Sequence, residues 1–185
     1  ELEAYKIIIE TAWESLKELG LKENASLENL SITLSLEEAL DSVEFVQESI
    51  PEIIEIKQKF YKKVDQYLNE DVIIASSTSG LLISDIVKYC ETANRTIVGH
   101  PFNPPYLLPL VEVVSGNKTS KETESWITDF YKLFDKVPLV LKKEIPGFIA
   151  TRLQEALWRE ALHMVANDEA TPEQIDLALI NGPAP

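Results

Sequence analysis

The chain contains two histidines, and they stand in different company. His100 follows the apolar stretch Thr96 to Gly99 and precedes Pro-Phe-Asn-Pro-Pro, where Pro101, Pro104 and Pro105 leave the backbone little freedom. Glu112 lies inside the run Leu-Pro-Leu-Val-Glu-Val-Val. A carboxylate is costly to bury there unless it is paired, and His100 is the expected partner. A carboxylate that accepts from one ring nitrogen fixes the tautomer and frees the other nitrogen to take a proton from a substrate hydroxyl. By residue type alone, a histidine at a strand end is more often a cap or a packed edge residue. The buried Glu112 reverses that weighting, and its apolar neighbours argue against a water-facing edge position for the glutamate itself. His163, among Leu162, Met164 and Val165, reads as structural.

A second cluster, Ser76, Ser77, Thr78 and Ser79 with Gly80 after them, directly follows the apolar run Val72 to Ala75. Helix capping accounts for one or two of those hydroxyls, leaving the rest for a ligand. Asn103, between prolines, is by itself a weak turn signal. Glu52 and Lys57, taken alone, read as solvated helix residues.

These groups need a scaffold that gathers strand ends. Apolar residues at steps of three and four (Leu2, Tyr5, Ile9, Ala12, Leu16, Leu19) predict an amphipathic helix ended by Gly20. Leu30–Leu34 reads as a strand, a short helix runs through Glu37 and Leu40, and Val43–Gln47 reads as another strand. Pro51 is placed to open the next helix, with Ile53, Ile56, Phe60 and Val64 as its buried side. Val72–Ala75 and Thr96–Gly99 read as buried strands separated by a helix from Leu81 to Tyr89. Val111–Val114, a helix from Ser120 to Phe134 and the strand Pro138–Leu141 prolong the pattern. Such alternation predicts an α/β fold, a Rossmann-type, mostly parallel sheet with helices on both faces and ligands at the carboxyl ends of its strands. Pro146-Gly147 breaks it. Phe148–Ala166 then reads as helix, and Thr171-Pro172-Glu173 opens a last helix running to Ile180. The expected division is a partial dinucleotide-binding domain over 1–145 and the start of an all-helical domain over 146–185.

Bulk composition narrows the partners. In 185 residues, 45% hydrophobic, 17 basic residues face 31 acidic ones, a formal charge of −14 that disfavours nucleic acid and anionic lipid. A small-molecule ligand is the default. The single cysteine, Cys90, rules out an internal disulfide or a thiolate zinc site and fits a reducing cytoplasm. No apolar run has membrane-spanning length, and the first residues lack the pattern of a signal peptide.

At Ser-Thr-Ser-Gly (77–80), Gly-His-Pro-Phe-Asn-Pro-Pro (99–105) through Val114, and Pro-Gly-Phe-Ile-Ala-Thr-Arg-Leu (146–153), the sequence resembles the 3-hydroxyacyl-CoA dehydrogenase family. The resemblance runs through essentially the whole chain and is closest to the branch holding lambda-crystallin (an L-gulonate 3-dehydrogenase) and L-carnitine dehydrogenase. It implies NAD as cofactor, a 3-hydroxy acid as substrate, oxidation of its hydroxyl to the 3-keto acid, and a homodimer. It also implies His100 and Glu112 as the catalytic pair and Ser79 at both substrate hydroxyl and nicotinamide. Asn103 is placed beside the nicotinamide, and Glu52 and Lys57 in the cofactor site. Two departures bear on substrate. His-Pro-Phe-Asn-Pro-Pro replaces the His-Phe-Phe-Asn-Pro typical of the acyl-CoA enzymes, and Thr151 stands where the family has a substrate-contacting asparagine.

All six glycines, Gly20, Gly80, Gly99, Gly116, Gly147 and Gly182, are isolated, so no G-x-G-x-x-G phosphate loop is present. The expectation is that the amino-terminal βα unit carrying that loop, and the rest of the helical domain, lie outside this sequence. This stretch alone is then expected to bind cofactor poorly. On the resemblance, L-carnitine is the first choice of substrate, a sugar acid such as L-gulonate the second and a 3-hydroxyacyl-CoA the third. A quaternary ammonium needs aromatic faces, which Phe102, Tyr106 and Trp158 can supply; core packing is the equally weighted role for Trp158. The alternative of another class is a non-catalytic, crystallin-like protein, against which the joint presence of Ser79, His100, Asn103 and Glu112 argues.

Overall fold

The computed structural model describes residues 2–182, with side chains from Tyr5 onward; the Leu2 side chain predicted on the first helix face and the terminal Pro183–Pro185 lie outside the described residues. The helices are α1 (Leu2–Leu19), α2 (Leu36–Leu40), α3 (Ile54–Asp65), α4 (Ile83–Ile86), α5 (Lys121–Lys132), α6 (Ala150–Ala166) and α7 (Pro172–Asn181). The strands are β1 (Phe45–Glu48), β2 (Ile73–Ser76), β3 (Thr96–Pro101), β4 (Leu110–Val114) and β5 (Val137–Val140). They form one five-stranded sheet in sequence order.

The β1–β2, β2–β3 and β4–β5 pairs are parallel and β3–β4 is antiparallel. The sheet is thus mostly parallel, as expected, and its one antiparallel step falls where the loop between β3 and β4 is too short for a crossover helix and must turn the chain back. Leu30–Leu34 is not a strand. It pairs with no other segment among the described residues, and Leu34 is 85% exposed. Ser35 instead caps α2 through its side chain.

Strand alternation divides the core between the two faces of the sheet. Ile74, Val98 and Val114 pack with Tyr61, Val64, Ile83, Ile86 and Phe148 on the α3/α4 side. Ile73, Ala75, Ile97, Val111 and Val113 pack with Ile127 and Tyr131 of α5 on the other. His100 and Glu112 follow Val98 and precede Val114 by two residues, so they share the α3/α4 face.

For α3 the expected start fails, and the expected buried side holds at Val64, with Phe60 half-buried, but not at Ile53 and Ile56. The helix begins at Ile54 rather than at Pro51, whose carbonyl accepts the Ile53 N–H in a tight turn. Its buried side is Lys57, Tyr61 and Val64, while Ile53 and Ile56 stay 48% and 41% exposed. A buried partner for the Lys57 ammonium, described below, rotates the helix about one residue away from the apolar face expected. Elsewhere, α4 is one turn long, shorter than the Leu81–Tyr89 helix expected, and α7 has the expected Thr171 cap, completed by Gln174 into a capping box.

Gly99 is fixed by a close approach. A Cβ there would lie 1.9 Å from the Tyr131 hydroxyl, which crosses the strand to donate to Gln47 Oε1 at 2.6 Å. Gly99→Ala is expected to cost about 1–3 kcal/mol through forced displacement of that ring, read as a lower urea midpoint at unchanged slope.

Candidate active site

The antiparallel step is what assembles the site. His100 and Glu112 are direct cross-strand partners in the β3–β4 ladder, the arrangement that brings two side chains together on one face. His100 Nδ1 lies 2.9 Å from Glu112 Oε2, with the imidazole 7% exposed and the glutamate fully buried. The other carboxylate oxygen is also engaged. Oε1 accepts the N–H groups of Ile149 and Ala150 at 2.9 and 2.8 Å, the free amides at the start of α6, where the helix dipole favours negative charge. With both oxygens accepting, the proton of the pair sits on Nδ1, and Nε2 is left as the free ring nitrogen.

Aromatic rings hold the imidazole in place. Phe102 and Phe148 have centroids 4.9 and 5.7 Å from it. Phe148 is fully buried and adopts a φ of +48°, unusual for a side chain of its size. Gly147 before it has φ +70° and donates its N–H to Gly80 O at 3.3 Å. The Pro-Gly-Phe turn therefore ties the serine-rich turn, the His100 ring and the α6 amides together.

At the carboxyl ends of β1–β3 opens a cavity of about 340 Å³, into which Glu52, Lys57, Ser79, His100 and Asn103 all face. Ser77 and Ser49 also line it, their hydroxyls 2.8 Å apart. Five predicted site residues thus share one cavity, with Glu112 behind His100 and Phe102 against its ring. Thr151 is half-buried in the first turn of α6, next to the amides that bind Glu112, and Tyr106 is half-buried in the β3–β4 loop. Trp158 is not brought to this cluster; it is 62% exposed on α6, a helix with no buried residue. His163 is exposed and its ring contacts the Asn167 carboxamide.

Glu52 Oε1 accepts from the Thr78 hydroxyl and from the Ser79 N–H at 2.9 Å, and Oε2 lies 3.4 Å from Lys57 Nζ. Partial burial pushes this carboxyl up, but the hydrogen bonds from Thr78 and Ser79 and the Lys57 charge outweigh it and hold it below its ordinary value. Asp65 is held low in the same sense, burial opposed by Thr92, Glu91 and Arg95. Groups depressed in the folded state stabilise it fully above their unfolded pKa and lose that contribution as pH falls through the folded pKa. The unfolding midpoint is therefore expected to drop as the solution is acidified below 4.5, Glu52's ordinary value. In Glu52→Gln the drop should be shallower, and an equally steep one would refute the assignment.

The residue that sequence reasoning missed is Glu48, the last of β1, 2% exposed and paired with Lys57 at 2.7 Å. The cost of burying a charge, which singled out Glu112, applies equally here, but Glu48 follows a strand that was expected to end at Gln47 and precedes polar Ser49. Phe148 was missed as well, since nothing in its sequence context marks the positive φ.

A mostly parallel sheet whose strand ends gather an imidazole–carboxylate pair, hydroxyls and a carboxamide defines the Rossmann-type class of dinucleotide-binding folds. The family models agree with that class: residues 2–145 match "3-hydroxyacyl-CoA dehydrogenase, NAD binding domain" and residues 147–183 match "3-hydroxyacyl-CoA dehydrogenase, C-terminal domain". The chain belongs to the 3-hydroxyacyl-CoA dehydrogenase family.

Among curated proteins it is 49% identical to an L-carnitine dehydrogenase of Nocardiopsis dassonvillei over 95% of this chain and 54% of that one. To the L-carnitine dehydrogenase of Oceanobacillus iheyensis it is 47% identical over 94% of this chain and 57% of that one. The chain thus spans about half the length of the curated relatives it matches. Among solved structures it superposes with TM-score 0.90 and 31% identity on 5-formyl-3-hydroxy-2-methylpyridine 4-carboxylic acid 5-dehydrogenase, described as an NAD+-dependent dismutase, over 96% of this chain and 58% of that one. On (S)-3-hydroxybutyryl-CoA dehydrogenase from Ralstonia eutropha the TM-score is 0.84 at 28% identity, over 98% of this chain and 66% of that one.

The donor set suits one end of such a cofactor. Hydroxyls at Ser49, Ser77 and Ser79, the Asn103 carboxamide and the apolar edges of Ile50, Pro101 and Pro105 match a nicotinamide ring and its ribose. No glycine-rich phosphate cradle occurs among the described residues.

Proposed function

We propose that the protein oxidises the hydroxyl of a 3-hydroxy acid to the 3-keto acid with NAD, and that its substrate is L-carnitine, converted to 3-dehydrocarnitine. The observation that carries this reading is the His100–Glu112 pair at the wall of a cavity shared with Ser79 and Asn103. Glu112 holds the ring and its tautomer, and Nε2 of His100 takes the proton of the substrate hydroxyl. Bound oxidised nicotinamide supplies the acceptor for the carbon-bound hydride. Ser79 orients the substrate hydroxyl, Asn103 and Glu52 flank the nicotinamide side, and Lys57 acts from within the wall.

The preference for carnitine rests on the identities to L-carnitine dehydrogenases and on the Phe102 ring beside the imidazole, a face suited to a trimethylammonium. Tyr106 and Thr151 complete the substrate side, and Trp158 is assigned there on the family resemblance. Residues 1–145 form the dinucleotide-binding unit and 146–185 the start of a helical substrate and dimerisation unit, and the assembly is a homodimer. A cytoplasmic setting fits Cys90, a lone thiol that burial and the nearby Asp65 push up to about 11, where it stays protonated and inert. Among the described residues no helix is long and apolar enough to cross a membrane.

The test is NAD reduction at alkaline pH by the product of the complete reading frame, with L-carnitine, L-gulonate and 3-hydroxybutyryl-CoA in parallel. Preference for L-carnitine by kcat/KM supports the reading in full. Preference for either other substrate overturns the substrate assignment, and no turnover of any overturns the enzyme assignment in favour of a crystallin-like role.

A further inference from the structure

Glu48 closes β1 with its backbone in register with Ser76 of β2, and every polar atom of its side chain is used. Oε2 accepts the Ser76 hydroxyl at 2.6 Å. Oε1 accepts the Ile50 N–H and the Lys57 ammonium, both at 2.7 Å. Its carbonyl takes the Ser77 N–H at 2.7 Å. Lys57, 1% exposed, also donates to Ile50 O at 3.2 Å and lies 3.4 Å from Glu52 Oε2, and Glu52 in turn holds Thr78 and Ser79. One carboxylate therefore joins both walls of the cavity: the Ser49–Glu52 segment on one side and the Ser76–Gly80 turn on the other.

A buried ion pair is a poor device for stability alone, since desolvating two charges offsets most of their attraction. What this pair does provide is a fixed location for the ammonium. With Glu48 ionised, Lys57 is drawn into the wall, and Glu52 keeps one oxygen for Thr78 and Ser79. Without that charge, Glu52 is the remaining carboxylate beside the Lys57 ammonium, which then competes with Thr78 and Ser79 for it.

We propose that Glu48 is a positioning residue for the nicotinamide end of the site: through Lys57 and Ser76 it sets where Glu52 and Ser79 meet the cofactor. This rests on the dehydrogenase reading above. It assigns Glu48 no contact with substrate and no part in proton transfer, and the network shares no hydrogen bond with the His100–Glu112 pair.

The experiment uses the product of the complete reading frame, with NADH titrated by its fluorescence and NAD kinetics followed on L-carnitine. Glu48→Gln is expected to raise the NADH Kd and the KM for NAD by about tenfold, the equivalent of one charge-assisted hydrogen bond. At saturating NAD its kcat should fall by a smaller factor than Kd and KM rise, because the His100–Glu112 hydrogen bond is retained and only the placement of Ser79 shifts. Ser76→Ala removes the other arm in a smaller step and is expected to raise both constants by about threefold. A purely structural role lowers the unfolding midpoint and the active fraction, leaving Kd and KM of the folded enzyme at wild-type values. That result in Glu48→Gln, or in Ser76→Ala should Glu48→Gln not fold, overturns the proposal. The NADH titration needs no substrate, so a wild type that binds NADH but does not oxidise L-carnitine sinks the substrate assignment while the effect on Kd still decides Glu48. A wild type that does not bind NADH overturns both.

Discussion

Replacing His100 by alanine is expected to lower kcat for oxidation of the 3-hydroxy acid by about 10³-fold, within the range supplied by a positioned general base. The effect should fall on kcat and kcat/KM alike, since the proton moves only in the transition state. NADH affinity should change little, because the imidazole is one wall of a cavity otherwise lined by Glu52, Ser77, Ser79 and Asn103. Alanine also removes the partner of a fully buried carboxylate, so the variant is expected to be destabilised as well. His100→Gln separates the two effects: its amide can still donate to Glu112, which limits the loss of stability, but it cannot take a proton. Equal losses of kcat in both variants, with the larger drop in unfolding midpoint confined to alanine, identify His100 as the base. His163→Ala should retain activity, since that ring is exposed on α6 and, among the described residues, its hydrogen bonds run to the Asn167 side chain. A His100→Gln enzyme with near wild-type kcat would refute the assignment.

The partnership of His100 and Glu112 was legible in the sequence because a carboxylate surrounded by Leu110, Val111, Val113 and Val114 must be paired, and only one candidate imidazole stood at a strand end. How they meet was not. In an all-parallel sheet the two would not face each other in register as they do in the antiparallel β3–β4 ladder. Buried strands showed as short apolar runs, whereas Leu30–Leu34, which alternates apolar and polar residues, pairs with no strand among the described residues. Periodicity misplaced the face of α3 because it counts only apolar residues: Lys57 is buried by its bond to Glu48, and no hydropathy pattern carries that information. The family resemblance placed Lys57 in the site, but neither it nor the local pattern drew attention to Glu48. The positive φ of Phe148, which sets both its ring against His100 and the next two amides against Glu112, is a product of tertiary packing.

Those two amides make Glu112 the more revealing position to change. Its carboxylate accepts three hydrogen bonds, one from His100 and two from the start of α6. Glu112→Ala strands all three donors, two of them backbone groups that have no other partner among the described residues, and is expected to cost about 3–5 kcal/mol, as when one member of a buried charged pair is removed. A loss of that size threatens folding itself, which makes Glu112→Gln the sharper experiment. The carboxamide introduced by Glu112→Gln has one acceptor oxygen, and the two α6 amides require it, since an amide N–H cannot satisfy another N–H. Its NH₂ group is thereby turned toward His100 Nδ1. That reverses the bond: Nδ1 must now accept, the ring proton moves to Nε2, and the nitrogen facing the substrate becomes a donor. The variant is expected to fold close to wild type and to lose about 10²–10⁴-fold in kcat, because the base is present in the wrong tautomer. Loss of kcat with an unfolding midpoint near that of wild type would show that Glu112 acts on the chemistry by orienting His100, beyond anchoring α6. Unchanged kcat would mean that the α6 amides are its whole purpose.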